Sequence, residues 1–122
     1  MLAAGVDIVE ISRIETMLER HGDRFLGRVY TDGELAYADG RLSALAARWA
    51  AKEAAAKALG TGIGQVSFRE IEVVCDGLGK PDLVLHGEAA RLAADLHLDQ
   101  FALSLSHAAD YAVAFVVGQG GD

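Results

Sequence analysis

The sequence predicts an α+β domain in which a small, mainly antiparallel sheet packs around one long buried helix. Three observations predict it. Residues 43–59 place Ala and Leu around nearly the whole helical cylinder, the mark of a helix covered on several sides. Residues 66–74 alternate polar and apolar side chains as a half-buried strand does. Near the C-terminus, Phe101 to Ser106 and Tyr111 to Val117 flank His107-Ala108-Ala109-Asp110, which predicts a hairpin.

The elements follow in order. Residues 4–9, Ala-Gly-Val-Asp-Ile-Val, read as a short buried strand with a carboxylate, Asp7, in its middle. A helix comes next, with Ile11, Ile14 and Leu18 on one stripe and a stop at His21-Gly22. Asp23 caps a further turn or two through Phe25 and Leu26, and Thr31 with Glu34 makes a capping box for another short helix. A loop is expected around Asp39-Gly40, then the long helix from about Ser43 to Leu59, stopped by Gly60. Gly60-Thr61-Gly62-Ile63-Gly64 is a glycine-dense turn, open to conformations closed to other residues. After the strand at 66–74, Asp76 to Pro81 carries turn chemistry and Asp82 to His86 returns. Residues 88–97 form a helix with Ala89, Leu92, Ala93 and Leu96 inward. One domain spans residues 1–122, with 118–122 as a loose tail.

Composition narrows the class. A chain of 122 residues, 52% hydrophobic, builds one domain with a modest core. It leaves little room for a deep cleft, so a site shared between subunits is expected. The net charge of −7 argues against general nucleic-acid binding. No apolar run approaches the ~18 residues of a membrane span. Met1 to Gly5 lacks the basic start and apolar stretch of a signal peptide, so no leader is expected. The single cysteine, Cys75, excludes an intrachain disulfide and suits a reducing cytoplasm.

The chemistry gathers on the long helix. Glu53 and Lys57 stand four residues apart on one face of an apolar cylinder, and buried charges are costly unless paired or bound to a ligand. Asp7 is the corresponding charge in the first strand. Two carboxylates meeting at one point repel unless a cation lies between them, and hard oxygen ligands select Mg²⁺ or Ca²⁺. The alternative is structural: Glu53 paired with Lys57, and Asp7 at an edge. Lys57 and the glycine turn could receive an anion through backbone amides, or the turn is a plain helix stop. It lacks the Gly-Lys-Ser/Thr ending of a P-loop. His107, preceded by Ser104 and Ser106, reads as a ligand contact or as a solvated loop histidine. The crowding of Ser104, Ser106, His107 and Asp110 on one hairpin argues against a hydrolytic triad. Arg13, Arg20, Arg24 and Arg28, spaced seven, four and four apart, would line one stripe of a continuous helix, though Gly22 interrupts it. Such a stripe is a solvated face or a docking surface for an acidic partner.

Taken together, the segments resemble the holo-acyl-carrier-protein synthases, small phosphopantetheinyl transferases. The resemblance rests on Gly5-Val6-Asp7-Ile8-Val9-Glu10 with Arg13-Ile14, on Arg28-Val29-Tyr30-Thr31 with Glu34, and on Ala47-Arg48-Trp49-Ala50-Ala51-Lys52-Glu53-Ala54 with Lys57 to Ile63. Phe68 to Val73, Gly79-Lys80-Pro81 and Ser104-Leu105-Ser106-His107 with Tyr111-Ala112 complete it, from Gly5 to about Val117. It implies transfer of 4′-phosphopantetheine from coenzyme A to a serine of an apo-acyl carrier protein, releasing adenosine 3′,5′-bisphosphate, for fatty-acid or polyketide synthesis. On the resemblance Asp7 and Glu53 are metal ligands for Mg²⁺, and Lys57 is the catalytic lysine. The serine's proton goes to Glu53 or to a water on the metal. His107 contacts coenzyme A, and Arg48, Gly60 and Gly62 surround the nucleotide and its phosphates. Arg13, with Arg20 and Arg24, docks the carrier. A cytoplasmic homotrimer with sites between subunits is implied. Residues 36–46 depart from the pattern: they are short and poor in basic residues where relatives hold a nucleotide phosphate, leaving Arg41 and Arg48.

Overall fold

Gly5 sets how the strand that opens the fold meets its main helix. The computed structural model describes residues 1–121, and in it β1 (Leu2–Glu10) lies directly on α4 (Leu42–Ala58). A Cβ at Gly5 would come within 1.9 Å of the Ala54 carbonyl oxygen, so only glycine permits this approach. The alanines of α4 serve the same end from the other side. Ala46, Ala47, Ala50, Ala51, Ala54 and Ala55 are buried and let neighbouring backbones close in.

The remaining elements run α1 (Ile11–His21), α2 (Asp23–Val29), α3 (Asp32–Ala38), then after α4 β2 (Ile71–Cys75), β3 (Pro81–Leu85), α5 (Gly87–Asp95), β4 (Gln100–His107) and β5 (Tyr111–Gln119). The strands form two antiparallel sheets: three strands in the order β1-β5-β4, and the hairpin β2-β3. β1 pairs with β5 along its whole length, from Leu2 opposite Gln119 to Glu10 opposite Tyr111. The three-stranded sheet covers one side of α4, while α1, α3 and β2 pack elsewhere around it. Trp49 projects from α4 between Phe25 and Phe68, with ring centroids 6.1 and 4.6 Å away. The helix is buried on several sides, as its composition predicts.

A sealed ion pair joins three elements. Lys52 and Glu34 have fully buried side chains and meet at 2.7 Å. The ammonium also donates to the Phe68 and Ile71 carbonyls at 2.9 and 2.6 Å. Glu34 keeps the predicted capping box, accepting from the Thr31 amide at 2.8 Å, and its second oxygen accepts from the Val73 amide at 2.8 Å. Burial pushes the Lys52 ammonium pKa down, and the facing carboxylate opposes that shift.

Three expectations need correction. The strand predicted from residue 66 begins at Ile71, because Ser67 and Glu70 make a second capping box and turn Phe68–Glu70 into a short 3-10 helix. The loose tail predicted at 118–122 starts too early: Gly118 and Gln119 are ladder residues of β5, and the Gly120 amide donates to the Met1 carbonyl at 3.0 Å. Asp122 lies outside the described residues. His107 belongs to β4, paired with Ala112, rather than to the hairpin loop.

Candidate active site

Strand alternation places Ala3, Gly5, Asp7 and Val9 on the helix-facing side of β1. The contact at Gly5 fixes the strand over Ala54, and Asp7, two residues on, reaches the face of α4 that carries Glu53 and Lys57. The Lys57 ammonium donates to the Val6 carbonyl at 2.9 Å and to Asp7 Oδ1 at 3.1 Å. Glu53 is partly buried. Its carboxyl pKa is pushed up first by burial and next by the negative charge of Asp7, with Lys57 and Arg13 pulling the other way. The two carboxylates, 46 positions apart in the sequence, are therefore electrostatic neighbours. The structural alternative of a Glu53–Lys57 pair is not what forms; the lysine goes to Asp7.

Among the described residues no three His, Cys, Asp or Glu side chains gather around one point. The donor set is two carboxylates that repel one another. That set fits a magnesium ion, which takes one or two protein carboxylates and fills its shell with waters and substrate phosphates. It does not fit a closed all-protein metal cage.

The glycine turn supplies shape rather than amides. Gly60 and Gly62 hold left-handed φ of 79° and 74°. Their N–H groups are used on α4 carbonyls, Gly60 to Lys57 and Gly62, with Thr61, to Ala56. Of the two readings of the turn, the helix stop is the one whose hydrogen bonds form in this structure.

A second cluster lies along the sheet. β4 pairs with β5 and β5 with β1, so Leu105, Ala114 and Asp7 share a row and His107, Ala112 and Val9 the next. Alternation puts His107 on the same sheet face as Asp7. His107 lines a cavity of about 230 Å³ with Tyr37, Arg41, Ser43, Arg48 and Cys75. Arg48 is 3% exposed and forms no ion pair among the described residues. One N–H reaches the Ala44 carbonyl and another the Cys75 sulfur, both at 3.3 Å, and Nε has no partner. Its guanidinium stacks 4.2 Å from the Tyr37 ring centroid, and Arg41 stacks on the same ring at 5.1 Å. Sequence reasoning found Arg48 and missed Tyr37. The available signal was an aromatic residue four positions before Arg41, at the end of a short helix.

The arginines of the first two helices divide. Gly22, with φ 51° and ψ −130°, separates α1 from α2, so no continuous stripe forms. Arg13 still stacks over Trp49 at 5.6 Å. Arg24 and Arg28 line a groove of about 470 Å³ with Met17, Phe25, Trp49 and Phe68. Arg20 stands exposed in the last turn of α1, outside that groove.

Comparison with known proteins bears on what this arrangement does. A family model described as the 4′-phosphopantetheinyl transferase superfamily matches residues 3–116. The holo-[acyl-carrier-protein] synthase of Herpetosiphon aurantiacus is 51% identical over 127 aligned positions, covering 98% of this chain and all of that protein. The synthase of Carboxydothermus hydrogenoformans is also 51% identical, covering 96% of this chain and 97% of its own. Among solved structures, the Helicobacter pylori holo-[acyl-carrier-protein] synthase in complex with coenzyme A superposes with a TM-score of 0.88 at 32% identity, covering 95% of this chain and 99% of that one.

Proposed function

The chain belongs to the 4′-phosphopantetheinyl transferase superfamily, and on that premise we propose that it transfers 4′-phosphopantetheine from coenzyme A to a serine of an apo-acyl carrier protein. Relatives named holo-[acyl-carrier-protein] synthase along the full length, and a coenzyme A complex of the same fold, support the reaction. The observation that carries the site assignment is the Lys57–Asp7 contact where β1 crosses α4, with Glu53 four residues before Lys57 on the same helix.

The residues divide the work. The serine oxygen attacks the β-phosphorus of coenzyme A, the bond from that phosphorus to the bridging oxygen breaks, and adenosine 3′,5′-bisphosphate leaves. Asp7 and Glu53 would hold Mg²⁺, which would supply charge neutralisation and polarisation of the diphosphate. The serine proton goes to Glu53, one turn before Lys57 on α4. Lys57, half exposed beside Asp7, neutralises the new charge on the departing phosphate. Arg48 and His107 bind the nucleotide half, and Gly60 and Gly62 shape the turn that follows α4. Arg13, Arg20 and Arg24 receive the acidic carrier around the Trp49 groove, in support of fatty-acid or polyketide synthesis.

Assembly completes the proposal. The outer face of the three-stranded sheet is apolar and uncovered, with Val6 and Ile8 more than half exposed and Tyr111 and Phe115 close to that. Asp7 lies between Val6 and Ile8 in the same strand. A homotrimer that buries this face would bring neighbouring subunits against β1, the strand that carries Asp7. No helix among the described residues is long and apolar enough to cross a membrane, and we place the reaction in the cytoplasm.

The test is transfer of a labelled pantetheine group. With Mg²⁺, label should reach the apo-carrier in step with release of the bisphosphate, and a chelator should stop both. Release of bisphosphate without a labelled carrier would instead make the protein a hydrolase. Coenzyme A binding with no turnover would make it a binding module.

A further inference from the structure

Arg48 poses a physical problem that the transfer reaction alone does not solve. A guanidinium buried to within 3% exposure ordinarily sits against a carboxylate, since an unpaired buried charge is costly. Here it has one long bond to a carbonyl, one to sulfur, and an orphan Nε. Its best-placed compensating group is the π face of Tyr37 at 4.2 Å. The difference between a ring and a carboxylate matters for a cation that must accept an anion. A carboxylate would fix Arg48 and cancel its charge, and would repel an incoming phosphate. A ring fixes it without cancelling its charge.

The same ring also carries Arg41, which ties itself to the end of α3 by donating to the Ala38 and Tyr37 carbonyls at 2.9 and 2.7 Å. One aromatic side chain thus holds two like-charged guanidiniums beside a single cavity that His107 also lines. Residues 36–46 contain no other Lys or Arg than Arg41, so this shared ring is how a base-poor segment presents paired cations. We propose that Tyr37 is a positioning residue for coenzyme A. It stacks Arg48 and Arg41 into a fork that grips a phosphate of the nucleotide without being neutralised first. The proposal rests on the coenzyme A reading above.

The experiment measures binding of adenosine 3′,5′-bisphosphate by calorimetry, and separately kcat and KM for coenzyme A and for apo-carrier. It uses the wild type, Tyr37→Phe and Tyr37→Ala. Tyr37→Ala should weaken bisphosphate binding and raise KM for coenzyme A by roughly three- to tenfold, the size of a partly desolvated cation–π contact. Its kcat at saturation and its KM for carrier should stay within about twofold, because the reacting atoms are untouched. Tyr37→Phe keeps the ring and should behave as wild type. Unchanged binding in Tyr37→Ala overturns the proposal, and so does a Tyr37→Phe defect equal to that of Tyr37→Ala. Equal losses in kcat and in both KM values would also overturn it, by showing a general structural role. A wild type that transfers phosphopantetheine normally while the variants bind alike sinks this inference alone. A wild type that neither binds nor transfers sinks the functional reading with it.

Discussion

Lys52 and Lys57 stand five residues apart on one helix and live in opposite worlds. Lys52 has no exposed surface, and three oxygens, of Glu34, Phe68 and Ile71, take up its donors. Lys57 is half exposed and holds Asp7 and a carbonyl at longer range, beside a second carboxylate that it does not pair with. The first lysine is saturated and ties α3, α4 and β2 together. The second belongs to a cluster with charge left over, and left-over charge is what a diphosphate and its cation can use. Saturation, more than burial, separates the structural charges of this fold from those we propose for the chemistry. Arg48 makes the point from the other side, being buried yet unsatisfied.

The sharpest way to break that comparison is to remove charge at each place and read two quantities. Asp7→Asn and Glu53→Gln should lower transfer by about a thousandfold, the scale of losing a pre-organised electrostatic contact. Each should leave the thermal midpoint within ~3 °C, since removing one of two repelling carboxylates relieves as much as it costs. Loss of folding in step with activity would show that these carboxylates are structural. Lys52→Met should do the reverse. Stranding Glu34 inside the core costs about 3–5 kcal/mol in urea unfolding, and Lys52→Met with Glu34→Gln should regain part of it. Lys57→Met should cost less than about 1 kcal/mol, as half-exposed pairs do, while reducing transfer sharply.

The same logic extends to surface cations. Arg91 is saturated, held by Glu88 and by Asp95 on its own helix. Arg24 lines the Trp49 groove and forms no ion pair among the described residues. Arg24→Glu should raise the KM for carrier about tenfold at low salt and less at high salt, because screening weakens exposed charges. Arg91→Glu should leave that KM unchanged. Equal effects from both would assign carrier docking to net charge rather than to a place.

Much of this was legible in the sequence because local rules wrote it. The capping box at Thr31 and Glu34, the stop at Gly22 and the apolar cylinder of α4 depend on neighbours within a few residues, and each forms where its pattern lies. The meeting of Asp7 with Glu53 was reachable only as a conjecture from two charges in apolar settings. Their proximity depends on β1 crossing α4 at Gly5, and strand-to-helix placement leaves no local trace. Lys52 was invisible for the same reason, since its three acceptors come from residues 34, 68 and 71. At Ser67 and Glu70 two local rules competed. Alternation argued for a strand, and the side-chain hydrogen bond to the Ser67 amide won.

Glu72 offers the finest test, because it is saturated but not sealed. Its carboxylate accepts from the Thr31 hydroxyl at 2.7 Å and faces His86 at 3.0 Å, with 19% of the side chain exposed. The Thr31 hydrogen bond first, and the His86 contact second, hold its pKa below the usual carboxylate range. A depressed folded value means the carboxylate stabilises the fold at pH above the ordinary value of 4.5, and that this contribution fades as pH falls through the folded value. Glu72→Gln should therefore cost about 1 kcal/mol near neutrality, the net worth of a hydrogen bond to a charged group after solvent screening. The gap between variant and wild type should close in urea titrations repeated from pH 7 down to about pH 3. A gap that stays constant over that range would assign the role of Glu72 to shape and remove charge saturation as the rule at half-buried sites. Transfer activity at pH 7 should not change, because the Thr31–Glu72–His86 group touches neither the carboxylate pair nor the cavity lined by Arg48.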